Sequence, residues 1–177
     1  ETDPVLAARY TAENPSGKAE DKAALQREVG LPEQPEVPLL AMVSRLVEHK
    51  GLDLVRDVLD RLLQENEMQC VVLGSGDWQY EEFFRQAQER HPDRLRYVQG
   101  FFPELARRVY AGADLFLMPS QSEPCGLAQM VACRYGTLPI VRETGGLKDS
   151  IRDCGDGQGN GFTFKTYNAG DMRYAVE

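Results

Sequence analysis

Arg45 and Lys50 are two cations five residues apart in the segment Ser44-Arg45-Leu46-Val47-Glu48-His49-Lys50-Gly51. An arginine offers a rigid fork of donors and a lysine a mobile point charge, a combination suited to a diphosphate. Spacing alone also allows a solvated surface loop, with His49 as an ordinary loop residue. Glu123 stands on a loop shaped by Pro124 and Gly126, in Pro119-Ser120-Gln121-Ser122-Glu123-Pro124-Cys125-Gly126-Leu127. Such a carboxylate either faces a cleft or caps the helix that follows. The free amides of a helix start, with a dipole of about half a charge, form an anion site. Thr144-Gly145-Gly146 opens a second helix, where two glycines let a backbone pass close to a phosphate or sugar. Gly74-Ser75-Gly76-Asp77 is a weaker signal, because Gln79 stands where a dinucleotide fingerprint needs its third glycine. It reads equally as turn chemistry or as close approach to a ligand. Phe101 could stack on a nucleobase or pack in the core.

These residues share one place in the expected fold. Short apolar runs at Leu39–Ser44, Gln69–Leu73, Arg96–Val98, Leu115–Met118 and Leu138–Val141 read as buried strands. Between them, Leu52–Leu63, Trp78–Arg90, Pro103–Ala111 and Leu127–Arg134 carry helical patterns. Lys18–Val29 is a further helix, with Ala19, Ala23, Leu25 and Val29 in register. Leu147–Ile151 is a turn or two, and residues 151–164 suggest a small hairpin. Alternating strands and helices predict an α/β fold, a three-layer Rossmann-like parallel sheet with right-handed crossovers. Ligands in such sheets sit outside the carboxyl ends of the strands. Arg45, Lys50, Phe101, Glu123 and Thr144 all follow strands, so they converge on one mouth.

At 177 residues, 42% hydrophobic and 27% charged, the chain reads as one ordinary globular domain. Residues 1–35 are expected to form a lead-in and first helix, and residues 36–177 the Rossmann-like domain. The start at Glu1-Thr2-Asp3-Pro4 and the end inside a starting helix suggest a piece of a longer chain, truncated at its carboxyl terminus. A net charge of −8 argues against nucleic acid or an anionic membrane as partner, yet allows a small anion held by local cations. No apolar run reaches the roughly 18 residues of a membrane span. Cys70, Cys125, Cys133 and Cys154 lack metal-like spacing and read as free thiols in a reducing compartment.

The motifs also occur together in a known order. Ser44-Arg45-Leu46 with Lys50-Gly51, Gly74-Ser75-Gly76-Asp77, Ala113-Asp114, Glu123-Pro124-Cys125-Gly126-Leu127, Tyr135-Gly136-Thr137-Leu138-Pro139 and Thr144-Gly145-Gly146-Leu147 resemble bacterial glycogen synthases and plant starch synthases. The resemblance implies the C-terminal domain of a two-domain GT-B enzyme. Such an enzyme transfers glucose from ADP-glucose to the non-reducing end of an α-1,4-glucan with retention. It further implies that Arg45 and Lys50 bind the diphosphate and that Glu123 is the essential acid beside the glucose. Cys125, Gly126 and Leu127 would line the pocket, Phe101 would stack on adenine, and Thr144, Gly145 and Gly146 would present donors. No metal or cofactor is implied beyond the donor substrate. The acceptor glucan would be held through an N-terminal domain outside this chain, without which the chain is expected to be inactive. The compartment would be the bacterial cytoplasm, or the plastid for a plant-type enzyme. The implied mechanism is a front-face displacement through an oxocarbenium-like state, with a covalent intermediate on Glu123 as the alternative.

The chain departs from that pattern at Gln121-Ser122, where the family often has Arg-Phe, and at Ala128, where it often has Thr. Val131 replaces a glutamate that contacts ribose in many related enzymes. Competing readings are a retaining transferase using a UDP- or GDP-sugar, and a module that binds a nucleotide sugar without turnover. A nicotinamide dehydrogenase is disfavoured by the broken glycine fingerprint.

Overall fold

The structure is a computed structural model that describes residues 2–177; Glu1, the first residue of the expected lead-in, lies outside the described residues. Six strands run β1 (Leu39–Val43), β2 (Gln69–Gly74), β3 (Leu95–Gln99), β4 (Leu115–Met118), β5 (Leu138–Arg142) and β6 (Phe162–Phe164). They form one sheet in the order β3-β2-β1-β4-β5-β6, and every pairing is parallel. This is the Rossmann order, whose reversal point lies between β1 and β4. The expected α/β three-layer class is what the sheet shows.

Helices α1 (Gly17–Val29), α2 (Leu52–Glu65), α3 (Trp78–Arg90), α4 (Pro103–Gly112), α5 (Ala128–Arg134), α6 (Gly145–Ser150) and α7 (Ala169–Val176) cover the two faces. On one face α2 buries Leu52, Leu54, Val55, Val58, Leu59, Leu62 and Leu63, the same stripe the sequence periodicity marks. They pack with Tyr80, Phe84 and Ala87 of α3 and Met172 of α7 against Leu40, Met42, Cys70 and Val72 of the sheet. On the other face Leu25 of α1 joins Ala106, Val109 and Tyr110 of α4 over Leu39, Ala41, Val71 and Phe116. Full burial of each Leu, Val, Phe or Met side chain among these contributes about 1.5–3 kcal/mol.

Two elements differ from the sequence expectation. Residues 151–164 are not a hairpin: β6 adds to β5 in parallel register, Ile140 to Phe162 and Arg142 to Phe164. Asn160 closes the intervening loop by accepting from Arg152 N at 2.7 Å and donating to Ser150 O at 3.0 Å. Local turn signals cannot distinguish a returning strand from a crossover whose loop turns back on itself. Helix α1, second, does not bury the Ala19–Ala23 side. It buries Asp21, Lys22 and Gln26 beside Leu25. Lys22 Nζ donates to the carbonyls of Pro35 and Val37 at 2.9 and 2.7 Å and to Asp114 Oδ2 at 2.7 Å. Burial of Lys22 and Gln26 is tolerated because each finds partners, while Asp21 is partnered through Oδ1 and keeps a buried Oδ2 without one. Apolar periodicity cannot see such a face.

The lead-in is fastened by the same means. Tyr10 donates to Tyr135 O at 2.7 Å, and Asp21 Oδ1 accepts from Ala7 N and Ala8 N at 2.8 and 3.1 Å. Lys18 Nζ reaches Ala111 O at 2.7 Å and Thr137 Oγ1 at 2.8 Å. Its partners carry no full charge, and burial lowers its pKa from 10.5 to about 8. A lysine whose folded value lies below its unfolded value binds fewer protons when folded. Its charged form therefore costs stability at neutral pH, and the cost is relieved as pH rises from about 8 toward 10.5. Denaturant titrations of the wild type and of Lys18→Met are expected to show extra stability gained by the wild type across that window. Parallel curves would show that Lys18 is not titrating there.

Candidate functional site at the strand-order reversal

The β1–β4 contact is short. Only Leu40–Leu115 and Ala41–Phe116 pair, whereas β1 and β2 stay in register from Leu39–Gln69 to Val43–Leu73. Beyond Ala41 and Phe116 the two strands lead into loops that part, leaving a cavity of about 150 Å³. Its walls include Ser44, Arg45 and Lys50 after β1, and Pro119, Ser120, Glu123, Gly126 and Leu127 after β4.

Each side chain is placed by a backbone contact. The loop after β1 pairs with the loop after β2, Leu46 N donating to Ser75 O at 2.9 Å and Asp77 N to Leu46 O at 2.7 Å. Gly74 and Gly76 serve this pairing, because a Cβ on either would overlap the carbonyl oxygens of Ser44 or Leu46. The amide of Gly76 is taken by Glu81 Oε1 at 3.0 Å. Both glycines are thus required by packing of one loop against another, a role that neither sequence reading of this Gly-x-Gly named. Gln121 N donates to His49 O at 2.9 Å, joining the β1 and β4 loops directly. Gly51, at φ 77°, passes so close to Pro119 that any side chain there would overlap its carbonyl. Lys50 is thereby directed at the β4 loop.

The result is a contact between the two charges singled out in sequence. Lys50 Nζ lies 2.6 Å from Glu123 Oε2, with the side chains 20% and 12% exposed. Ser120, itself buried, sits 3.4 Å from the same oxygen. Arg45 lines the cavity, is exposed, and has no acidic partner among the described residues. The cavity thus holds one neutralised ion pair and one spare positive charge, a net field that favours an anion. Helix α5 is only seven residues long, so cations rather than a long helix dipole supply most of that field.

The remaining sequence candidates have different places. Thr144, Gly145 and Gly146 do not line the cavity; they back the loop that does. Gly146 N donates to the carbonyls of Glu123 and Pro124 at 3.0 and 3.2 Å, so this amide is not free for a ligand. Cys125 is exposed, and Gly126 and Leu127 face the cavity. Phe101 is 78% exposed after β3, outside the cavity wall, with its ring free to meet a planar group. All four cysteines are free thiols.

Sequence reasoning missed Ser120, Gln129 and Arg142. Arg142 ends β5, lies 5.4 Å from the Tyr167 ring centroid, and points Nη1 at Gln121 O at 3.5 Å. Its position after a strand was the available signal. Gln129 gave none, being a neutral residue inside a helical pattern. A larger cleft of about 1010 Å³ lies between the lead-in and α4–α5. Its half-buried polar groups are engaged already, Arg107 and Tyr135 with Asp3 and Lys18 with carbonyls, so it offers a ligand little.

A parallel α/β sheet with cations and a partnered carboxylate at its reversal point has its cavity where doubly wound folds bind their ligands. The chain belongs to the group 1 glycosyltransferases, whose family model matches residues 22–177. It is 51% identical over 99% of its length to a glycogen synthase of Bacillus cereus (strain B4264), and 52% identical to one of Geobacillus thermodenitrificans. The chain spans 37% and 36% of those relatives. The catalytic domain of Starch Synthase IV from Arabidopsis thaliana, solved bound to ADP and acarbose, superposes with a TM-score of 0.91. Identity there is 38%, over 99% of this chain and 37% of that one. Anabaena HepE, solved with UDP and glucose, shares the fold at a TM-score of 0.69 and 18% identity, over 89% of this chain and 41% of that one.

Gly146→Ala tests how tightly the loop is seated. Helix propensity alone would favour alanine by about 1 kcal/mol. The new methyl, however, would overlap the Cys125 carbonyl, which is backbone and cannot swing aside. Overpacking of this kind costs roughly 1–3 kcal/mol, so a net loss of stability is expected in urea unfolding. An unchanged or higher midpoint would show the loop to be free to move.

Proposed function

We propose that this chain is the donor-binding part of a glycogen-synthase-type enzyme. Such an enzyme transfers glucose from ADP-glucose to the non-reducing end of an α-1,4-glucan with retention. The observation that carries the reading is the Arg45–Lys50–Glu123 cluster at the β1–β4 reversal point. It is supported by the similarity to glycogen synthases and to a starch synthase solved with ADP.

In this reading Arg45 holds the diphosphate by its guanidinium, and Lys50 is shared between phosphate and Glu123. As the bond from anomeric carbon to phosphate oxygen breaks, both cations stabilise the charge that develops on the leaving diphosphate. Glu123, beside the glucose, stabilises the positive charge on the sugar. A carboxylate already engaged by an ammonium at 2.6 Å is a weakened nucleophile. That supports front-face displacement, in which a departing phosphate oxygen takes the proton of the acceptor hydroxyl. No cofactor beyond the donor is invoked. Phe101 stacks on adenine, and Gly126 and Leu127 bound the phosphate and sugar. The acceptor is held by a further domain, and the protein works in a reducing compartment, the bacterial cytoplasm.

Calorimetry of this chain with ADP and UDP is the direct test, with tighter ADP binding expected. Binding of UDP without ADP would overturn the reading. Arg45→Ala removes charge-assisted hydrogen bonds worth about 1.5–3 kcal/mol, so ADP affinity is expected to fall roughly 10- to 100-fold. Glu123→Gln is expected to keep or raise ADP affinity, since Lys50 is released to the phosphate. An equal loss in both variants would assign Glu123 a structural role.

A further inference from the structure

Gln129, in α5, is fully buried and does not itself line the cavity. Its Nε2 lies 3.2 Å from Cys125 O, 3.1 Å from Gly126 O and 3.0 Å from Ser150 Oγ. Its Oε1 is buried with no donor. The reverse assignment of the amide would set Oε1 against two carbonyl oxygens, so the orientation is dictated by the loop. The fold carries an unsatisfied buried acceptor here, and in exchange two successive carbonyls are turned toward α5.

A trans peptide is planar, with its N–H pointing opposite to its C=O. Turning the Cys125 and Gly126 carbonyls toward Gln129 therefore turns the Gly126 and Leu127 N–H groups away from it. Neither N–H has an acceptor among the described residues. Gly126 and Leu127 both line the cavity that holds Arg45 and Lys50. Gly126 takes φ 70° to make this turn, and a Cβ there would come within 2.7 Å of Gln129 Oε1. Ser150 and Gly146 extend the brace, since Ser150 Oγ donates to Gly146 O at 2.5 Å and Gly146 N holds the Glu123 carbonyl.

We infer that Gln129 is a positioning residue, which orients the Gly126 and Leu127 amides to receive the diphosphate of the donor. The inference rests on the donor-site reading above and names a residue on which that site depends without touching substrate. The carboxylate introduced by Gln129→Glu would present lone pairs to the two carbonyls and drive the peptides round. The Gln129→Met side chain keeps the length and removes both protons.

The test compares wild type, Gln129→Glu and Gln129→Met in their binding of ADP, by calorimetry, and of adenosine, by NMR titration. Adenosine lacks the phosphates, so it reports the rest of the site. Both variants are expected to lose ADP affinity by about tenfold, as for one or two charge-assisted hydrogen bonds, with adenosine affinity kept. Equal loss of both ligands, or loss of neither, overturns the inference. A measurement on the wild type stands if the variants do not fold: the Gly126 and Leu127 amide protons are expected to move downfield on adding ADP. Binding of ADP with those two signals unmoved would sink the inference alone. Failure of the wild type to bind ADP would sink the donor-site reading and the inference together.

Discussion

The pairing of β1 with β4 is the constraint on which the rest of the molecule depends. At its amino end it is locked: Asp114 N donates to Leu39 O at 2.9 Å, and Asp114 Oδ2 accepts from Leu39 N at 2.8 Å and from the buried Lys22 at 2.7 Å. At its carboxyl end it stops after Ala41 and Phe116. A pair of strands fixed below and released above opens a wedge, and the crossovers leave that wedge in opposite directions because the strand order reverses there. The cavity follows from that geometry and not from any special loop.

The charges in the wedge are arranged by backbone contacts made outside it. Lys50 reaches Glu123 because Gly51 passes against Pro119 and because Gln121 is bonded to His49. Glu123 is held because Gly146 takes its carbonyl, and the following carbonyls are turned by Gln129. Glycines that read in sequence as places for a ligand to approach are places where one loop approaches another. Close loop packing leaves Arg45 without an acidic partner, and the Gly126 and Leu127 amides without an acceptor, among the described residues. An ion pair with an extra cation beside it suits a diphosphate ester, which needs charge at one end and a polar, only partly charged surface at the sugar.

Much of this was legible in the chain. The α2 stripe and the short apolar runs gave α/β alternation, since burying both faces of a parallel sheet demands continuous apolar strands. Strand ends pointed to Arg45, Lys50 and Glu123, as every crossover returns to the same edge of the sheet. The α1 face was misread because buried Asp21, Lys22 and Gln26 look like a solvated face until their partners, tens of residues away, are known. The hairpin at residues 151–164 failed for a related reason, because a Gly- and Asp-rich loop specifies a reversal without specifying which neighbour the next strand joins.

By itself the sequence determined the class of fold, the family and the identity of the charged groups, because these depend on periodicity and on residue type. The tertiary structure alone decided which groups meet. It joined Lys50 to Glu123 across 73 positions, left Arg45 without an acidic partner among the described residues, closed the Gly146 amide and made the neutral Gln129 the keeper of the loop. Such pairings depend on loops packing against loops, and the hydrogen bonds that fix them are made by backbone groups that every residue carries alike.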